Sequence, residues 1–146
     1  MIAGAERYKA ITINHIRNAD GAYIVYDINN YDSFDKVDYW LDLLKSANDE
    51  KIVIYLIGNK IDLVECYSKN RKVTKEQAIV YAKTRHFNGF AECSAMNNIN
   101  IKETFNSFYT TLHRKNKDKL KEKTQNKLNQ LKLIRDKHSN KNKNCC

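Results

Sequence analysis

Proline is absent from this 146-residue chain, and glycine occurs only four times, as Gly4, Gly21, Gly58 and Gly89. No spacing among those glycines makes a phosphate-cradling G-x-x-x-x-G-K-[ST] loop. No apolar run approaches the ~20 residues that a membrane-spanning helix needs. The start carries no secretory pattern, and Gly4 is not in the second position that N-myristoylation requires. The four cysteines form no C-x-x-C pair, and the four histidines are scattered. Those counts argue against a metal site: His15, His86, His113 and Cys66 are expected in the core or on solvated surface. Cysteines in a chain without a secretory signal point to a reducing compartment. No internal repeat is evident.

Positive charge is present in excess but is not evenly spread. Residues 114–146 hold 12 Lys/Arg against 3 Asp/Glu, while residues 1–113 hold 14 of each sign, so the net +9 lies entirely in the tail. The length suits one domain. We expect a neutral globular part over 1–113 and a basic tail over 114–146, too rich in Lys and Asn to pack a core. Leu120, Leu128, Leu131 and Ile134 allow a helix within 114–137, but a solvated flexible linker is the expected form.

The neutral part alternates strand and helix. Residues 22–26, 52–57 and 89–93 read as buried parallel strands, the first two as continuous apolar runs. Between the first two, Phe34, Val37, Leu41 and Leu44 are spaced 3, 4 and 3 apart, which predicts one helix with an N-cap at Asp32-Ser33. Thr74 and Gln77 form a capping-box pattern opening the next helix. Asn100 and Glu103 resemble another, opening a helix whose stripe of Ile101, Phe105, Phe108 and Leu112 is expected in the core. The expected fold class is α/β: a doubly wound sheet of about three parallel strands with flanking helices, and ligands at the C-terminal strand ends.

Two polar stretches sit at such ends. Asn59-Lys60-Ile61-Asp62 follows the second strand. A carboxylate there can accept paired hydrogen bonds from the ring N–H and exocyclic amino group of guanine, which adenine cannot supply. The Lys stem can lie along the base plane, and the Asn amide can tie loops together. A simple polar turn after a buried strand would look the same in isolation. Ser94-Ala95 ends the third strand, about thirty-five residues on. Small residues there let a backbone N–H approach a base carbonyl.

These motifs, taken with others, resemble the Rab-type small GTPases of the Ras superfamily. Ala3-Gly4-Ala5-Glu6-Arg7-Tyr8 resembles the family's A-G-Q-E-R-[YF] switch II. Ile24-Val25-Tyr26-Asp27-Ile28 resembles its L-V-Y-D-I strand end, and Tyr39-Trp40-Leu41 falls where the family often has R-W-L. Cys145-Cys146 ends the sequence as many Rabs end. The resemblance runs over about residues 3–113 plus the terminus. His15-Ile16-Arg17-Asn18-Ala19 departs from the usual Y-Y-R-G-A.

The resemblance implies a GTP/GDP site whose base is read by Asn59, Lys60, Asp62, Ser94 and Ala95, and a switch II that includes Gly4, Ala5, Glu6 and Arg7. It also implies Mg²⁺, but the family's phosphate loop, its switch I Thr and the magnesium-ordering D-T before switch II have no match here; Met1-Ile2 stand in the last two places. We therefore assign no catalytic residue and no metal ligand. Ala5 replaces the Gln that orients the attacking water, so hydrolysis is expected to be impaired and nucleotide binding weak. The family sheet has a strand beside residues 22–26, without which they form an apolar edge.

Cys145 and Cys146 are expected to be lipidated, usually with geranylgeranyl groups in Rabs. Two chains give stable anchoring where one does not. Lys137, Lys141 and Lys143 favour an anionic leaflet. The implied partners are intracellular membranes and Rab escort or effector proteins, with no nucleic acid, and the implied place is the cytoplasmic side of intracellular membranes with a cytosolic pool. The leading reading is a Rab-like GTP-binding protein of vesicle traffic. The alternatives are a non-catalytic pseudo-GTPase module, and a fragment of a longer Rab GTPase from an incomplete gene model.

Overall fold

A computed structural model of the chain describes residues 16–17, 19–48, 52–66 and 71–141. The expected switch II residues Gly4, Ala5, Glu6 and Arg7, and the terminal Cys145 and Cys146, lie outside them. Contacts divide the chain into one unit over Met1–Thr111 and a second over Leu112–Cys146.

In the first unit β1 (Gly21–Asp27), β2 (Val53–Asn59) and β3 (Gly89–Cys93) form one parallel sheet in the order β1-β2-β3. The register pairs Asp27 with Asn59 and Asn59 with Cys93, so the three C-terminal ends are level. That alignment puts the ends of β2 and β3, where both polar motifs begin, side by side. Among the described residues β1 pairs only with β2 and is an edge of their sheet.

Helices cover both faces. Ile24 and Tyr26 of β1 and Ile54 and Leu56 of β2 point to one face, where they join Val37, Leu41, Leu44, Ala78 and Ala82 in a single buried cluster. Those partners come from α2 (Val37–Ala47) and α4 (Lys75–Thr84). On the other face Tyr23 and Tyr55 meet Phe108 of α5 (Ile101–Lys141), with ring centroids 4.2 and 5.3 Å away. Burying both faces explains why β2 is an unbroken apolar run.

The capping box at α4 forms as expected: Gln77 N donates to Thr74 Oγ1 at 3.1 Å and Thr74 N to Gln77 Oε1 at 2.9 Å. Three local expectations are corrected. The expected single helix is two, α1 (Tyr31–Asp35) and α2, and the cap is Asn30 rather than Asp32-Ser33. Ser33 is drawn back to the strand end instead: its hydroxyl accepts from Asp27 N at 2.9 Å and donates to Asn30 O at 2.7 Å. Asn100 uses its side-chain Nδ2 on the Glu92 carbonyl at 3.0 Å, fastening the loop to β3. Phe105 is 58% exposed, because Phe108 rather than Phe105 takes the place between the two tyrosines.

The second unit differs from the expected linker. Residues 112–141 are helical, as the C-terminal part of α5. Residues 101–141 contain no Gly or Pro and are rich in Lys and Leu, both good helix formers. Leu120 and Leu128 are exposed. No described helix is long and apolar enough to cross a membrane.

Candidate functional site

Parallel strands deliver Asn59 and Cys93 to the same level, and the polar residues that follow them meet there. Ser94 is fully buried, and its hydroxyl donates to Asp62 Oδ1 at 2.5 Å. Ala95 N donates to Asn59 Oδ1 at 3.0 Å. The same amide oxygen lies 3.8 Å from Cys93 Sγ. Ile61 N donates to Cys93 O at 3.3 Å, which closes the backbone between the two loops. Two segments more than thirty residues apart thus become one surface.

The loop after β3 is held from within. Ser94 and Ile99 exchange both backbone hydrogen bonds, at 3.1 and 3.0 Å, and Asn97 N donates to Ser94 Oγ at 3.0 Å. Asn98 and Asn100 adopt φ of 57° and 58°, a left-handed conformation that Asn tolerates better than most residues. Asn at these positions therefore suits the turn. Short Ser94 and Ala95 keep its start free of bulk.

The loop after β2 turns on Lys60, with φ of 73°. Its ammonium pairs with Asp27 Oδ2 at 2.6 Å, and its carbonyl accepts from Asn29 Nδ2 at 3.3 Å. Asp27 Oδ1 accepts from Asn29 N at 2.9 Å. Burial opposes the Asp27 charge, but the Lys60 and Asn29 hydrogen bonds outweigh it and hold the carboxyl below its ordinary pKa. A short helix, α3 (Asp62–Cys66), begins at the carboxylate that ends the motif.

Chemically this surface presents one oriented carboxylate, one amide, one ammonium stem and a backbone N–H beside small residues. Asp62 retains acceptor capacity on both oxygens after accepting the Ser94 hydrogen bond, so it can receive two parallel N–H groups. The Ala95 N–H is directed at Asn59 within the protein, and a base carbonyl would share or take that donor. Asp27 and Asn29 were not singled out as site residues by sequence. Their signal is weak: only the strand register brings them level with Lys60.

A separate open cleft of about 540 Å³ lies beside β3, lined by Ile61, Val64, Arg71, Lys75, Phe90 and Glu92 among others. None of Asn59, Lys60, Asp62, Ser94 or Ala95 lines it. Arg71 makes a two-armed ion pair with Glu92, at 2.8 and 3.0 Å, and also donates to Val73 O at 3.0 Å. Arg71 and Glu92 thus satisfy each other, and we place no ligand in the cleft. Among the described residues no three His, Cys, Asp or Glu side chains cluster as a metal site.

The Ras family model matches residues 2–114. The chain is 44% identical over 112 residues to the GTP-binding protein ypt3 of Schizosaccharomyces pombe, covering 77% of this chain and 50% of that protein. It is 39% identical over 112 residues to the Ras-related protein Rab11B of Nicotiana tabacum, covering 77% and 49%. To the Ras-related protein rab-11.1 of Caenorhabditis elegans it is 38% identical over 112 residues, covering 77% and 51%. The chain spans about half the length of these relatives.

Proposed function

This chain belongs to the Ras family, and from that premise we propose that Asn59, Lys60, Asp62, Ser94 and Ala95 form the base-reading half of a guanine-nucleotide site in a Rab-like protein of intracellular vesicle traffic. The carrying observation is the short Ser94 Oγ to Asp62 Oδ1 bond, 2.5 Å, which joins two motifs distant in sequence and orients the carboxylate. Asp62 accepts the guanine ring N–H and exocyclic amino group; adenine has no such pair. The stem of Lys60 covers the base, and Asn59 braces the Ala95 turn.

In this reading the five residues receive the base of GTP or GDP; among the described residues no group of three or more His, Cys, Asp or Glu stands ready for Mg²⁺. Phosphoryl transfer depends on phosphate and metal contacts, which base-reading residues do not make. Ala5 supports slow hydrolysis, since a methyl group cannot orient water. The same residue favours a second reading, a partner-docking module that does not switch. Cys145 and Cys146 serve as lipid attachment points, with Lys137, Lys141 and Lys143 adding attraction to anionic lipid. The partners are then intracellular membranes on their cytoplasmic side, and escort or effector proteins.

Titration with fluorescent GDP and ADP tests the base reading. GDP is expected to bind more tightly than ADP, and Asp62→Asn to shift preference toward the xanthine nucleotide, whose C2 oxygen accepts from the new amide. Equal binding of GDP and ADP would sink the reading. Sub-micromolar affinity for GDP and GTP with Mg²⁺ supports a switch; binding only in the millimolar range supports the docking module. Retention of a Cys145→Ser, Cys146→Ser variant on membranes would refute the lipid anchor.

A further inference from the structure

We infer that Asp27 and Asn29, at the end of β1, are positioning residues that clasp Lys60 and so set the shape of the loop that reads the base. The inference rests on the guanine reading above but concerns residues outside both of its motifs. Lys60 adopts φ of 73°, which disfavours any residue carrying a Cβ. Something must hold it there. Besides the local bond from Leu63 N to the Lys60 carbonyl at 3.2 Å, two contacts from outside the loop do: the Lys60 ammonium on Asp27 Oδ2 at 2.6 Å, and the Lys60 carbonyl on Asn29 Nδ2 at 3.3 Å.

The two clasping residues also hold each other. Asp27 Oδ1 accepts from both Asn29 N, at 2.9 Å, and Asn29 Nδ2, at 3.3 Å. One residue therefore grips the side chain of Lys60 and the other its backbone, and neither can shift alone. The orientation of the Asn29 amide follows from this. Turned over, its oxygen would face Asp27 Oδ1 and the Lys60 carbonyl, both acceptors. As placed, Asn29 Oδ1 is buried without a hydrogen-bond partner, so both donors are kept on the clasp while the acceptor goes unmatched.

Lys60 is the second residue of the motif, and Asp62 follows two residues later. Fixing both the backbone and the ammonium of Lys60 fixes the start of α3 and the carboxylate that Ser94 orients. It also pins the stem of Lys60 across the C-terminal ends of β1 and β2. The clasp acts on base affinity as a whole. It makes no contact that distinguishes one purine from another.

The test uses the full chain, labelled with ¹⁵N and ¹³C and titrated with guanosine and inosine monophosphates. Inosine lacks the exocyclic amino group. Asp27→Asn keeps an acceptor for Asn29 N–H but removes the negative charge facing Lys60. We expect it to weaken both ligands equally, by about threefold to tenfold for a half-exposed ion pair, and to move the Lys60 amide and Cε signals with little change in Tm. Asp27→Glu, which keeps the charge, is expected to recover part of the loss. Asp62→Asn is expected to weaken guanosine monophosphate more than inosine monophosphate. Affinities within twofold of wild type in Asp27→Asn, or unchanged Lys60 signals, would overturn the clasp. A loss of affinity that Asp27→Glu does not relieve, with a matching fall in Tm, would overturn positioning in favour of a purely structural role. If the wild-type chain binds neither ligand, the guanine reading fails; the clasp then stands if Asp27→Asn moves the Lys60 signals and falls if it does not.

Discussion

Replacing Gly89 with alanine should destabilise the domain, although the backbone at Gly89 does not require glycine. No glycine among the described residues has a positive φ, so the cost is one of space. A Cβ at Gly89 would lie 2.4 to 2.7 Å from three atoms of the Tyr55 ring, which faces it across the β2–β3 register. The ring cannot easily retreat. Tyr55 is 5% exposed, and its hydroxyl lies 2.8 Å from Thr111 Oγ1 and 3.1 Å from Ser107 Oγ, anchoring α5 to β2. Overpacking costs about 1–3 kcal/mol, and loss of a hydroxyl hydrogen bond about 1 kcal/mol. Alanine recovers about 0.5–1 kcal/mol of backbone entropy. The net expectation is a loss of roughly 1–3 kcal/mol, read by urea unfolding followed by circular dichroism. Tyr55→Phe should lessen the penalty, because an untethered ring can tilt away; a double-mutant cycle measures that coupling. A neutral or stabilising Gly89→Ala, or a penalty unchanged in the Tyr55→Phe background, would refute the argument.

Val25→Lys should reduce turbidity on heating while changing stability by no more than about 0.5 kcal/mol: Val25 is 57% exposed on edge strand β1, where a lysine discourages strand addition. Increased aggregation would argue against an open edge. The stability difference between wild type and Asp27→Asn, small for so exposed an ion pair, should be constant near neutral pH and shrink on acidification. The folded carboxyl titrates below its unfolded value of about 3.9, so its contribution is complete above that value and lost as pH falls through the folded one; chemical denaturation from pH 7 to 3 would show it. Cys93 is 4% exposed and burial raises its thiol pKa, so it should react with a thiol reagent far more slowly in native protein than in urea. Equal rates would contradict its burial.

The strands and the candidate site were legible in sequence to different depths. Apolar runs marked β1 and β2, and strand-end position selected Asn59-Lys60-Ile61-Asp62 and Ser94-Ala95 from other polar turns. Their meeting needed only a parallel sheet with adjacent β2 and β3. What escaped were residues with two outlets. Ser33 is an acceptable cap, but the end of β1 offers it stronger partners, so Asn30 caps the helix. Phe105 and Phe108 look alike on a helix stripe; only the spacing of Tyr23 and Tyr55 on the sheet decides which ring inserts. Composition of the tail suggested a linker because charge repels and few residues can pack. Helix propensity without Gly or Pro proved sufficient for residues 112–141. Asp27 was visible as a strand end, but its hold on Lys60 follows from register, which a linear pattern does not carry.

The bond from Ala95 N to Asn59 Oδ1 has a calorimetric consequence. A base carbonyl oxygen arriving at that N–H replaces a protein partner instead of adding a contact, so this position should release almost no net heat. The Asp62 carboxylate has spare lone pairs and gains two donors outright. The enthalpy of base recognition should therefore track the exocyclic amino group closely. The two purines share the carbonyl and the ring N–H, so on the guanine reading guanosine and inosine monophosphates would differ in heat by the exocyclic amino contact alone.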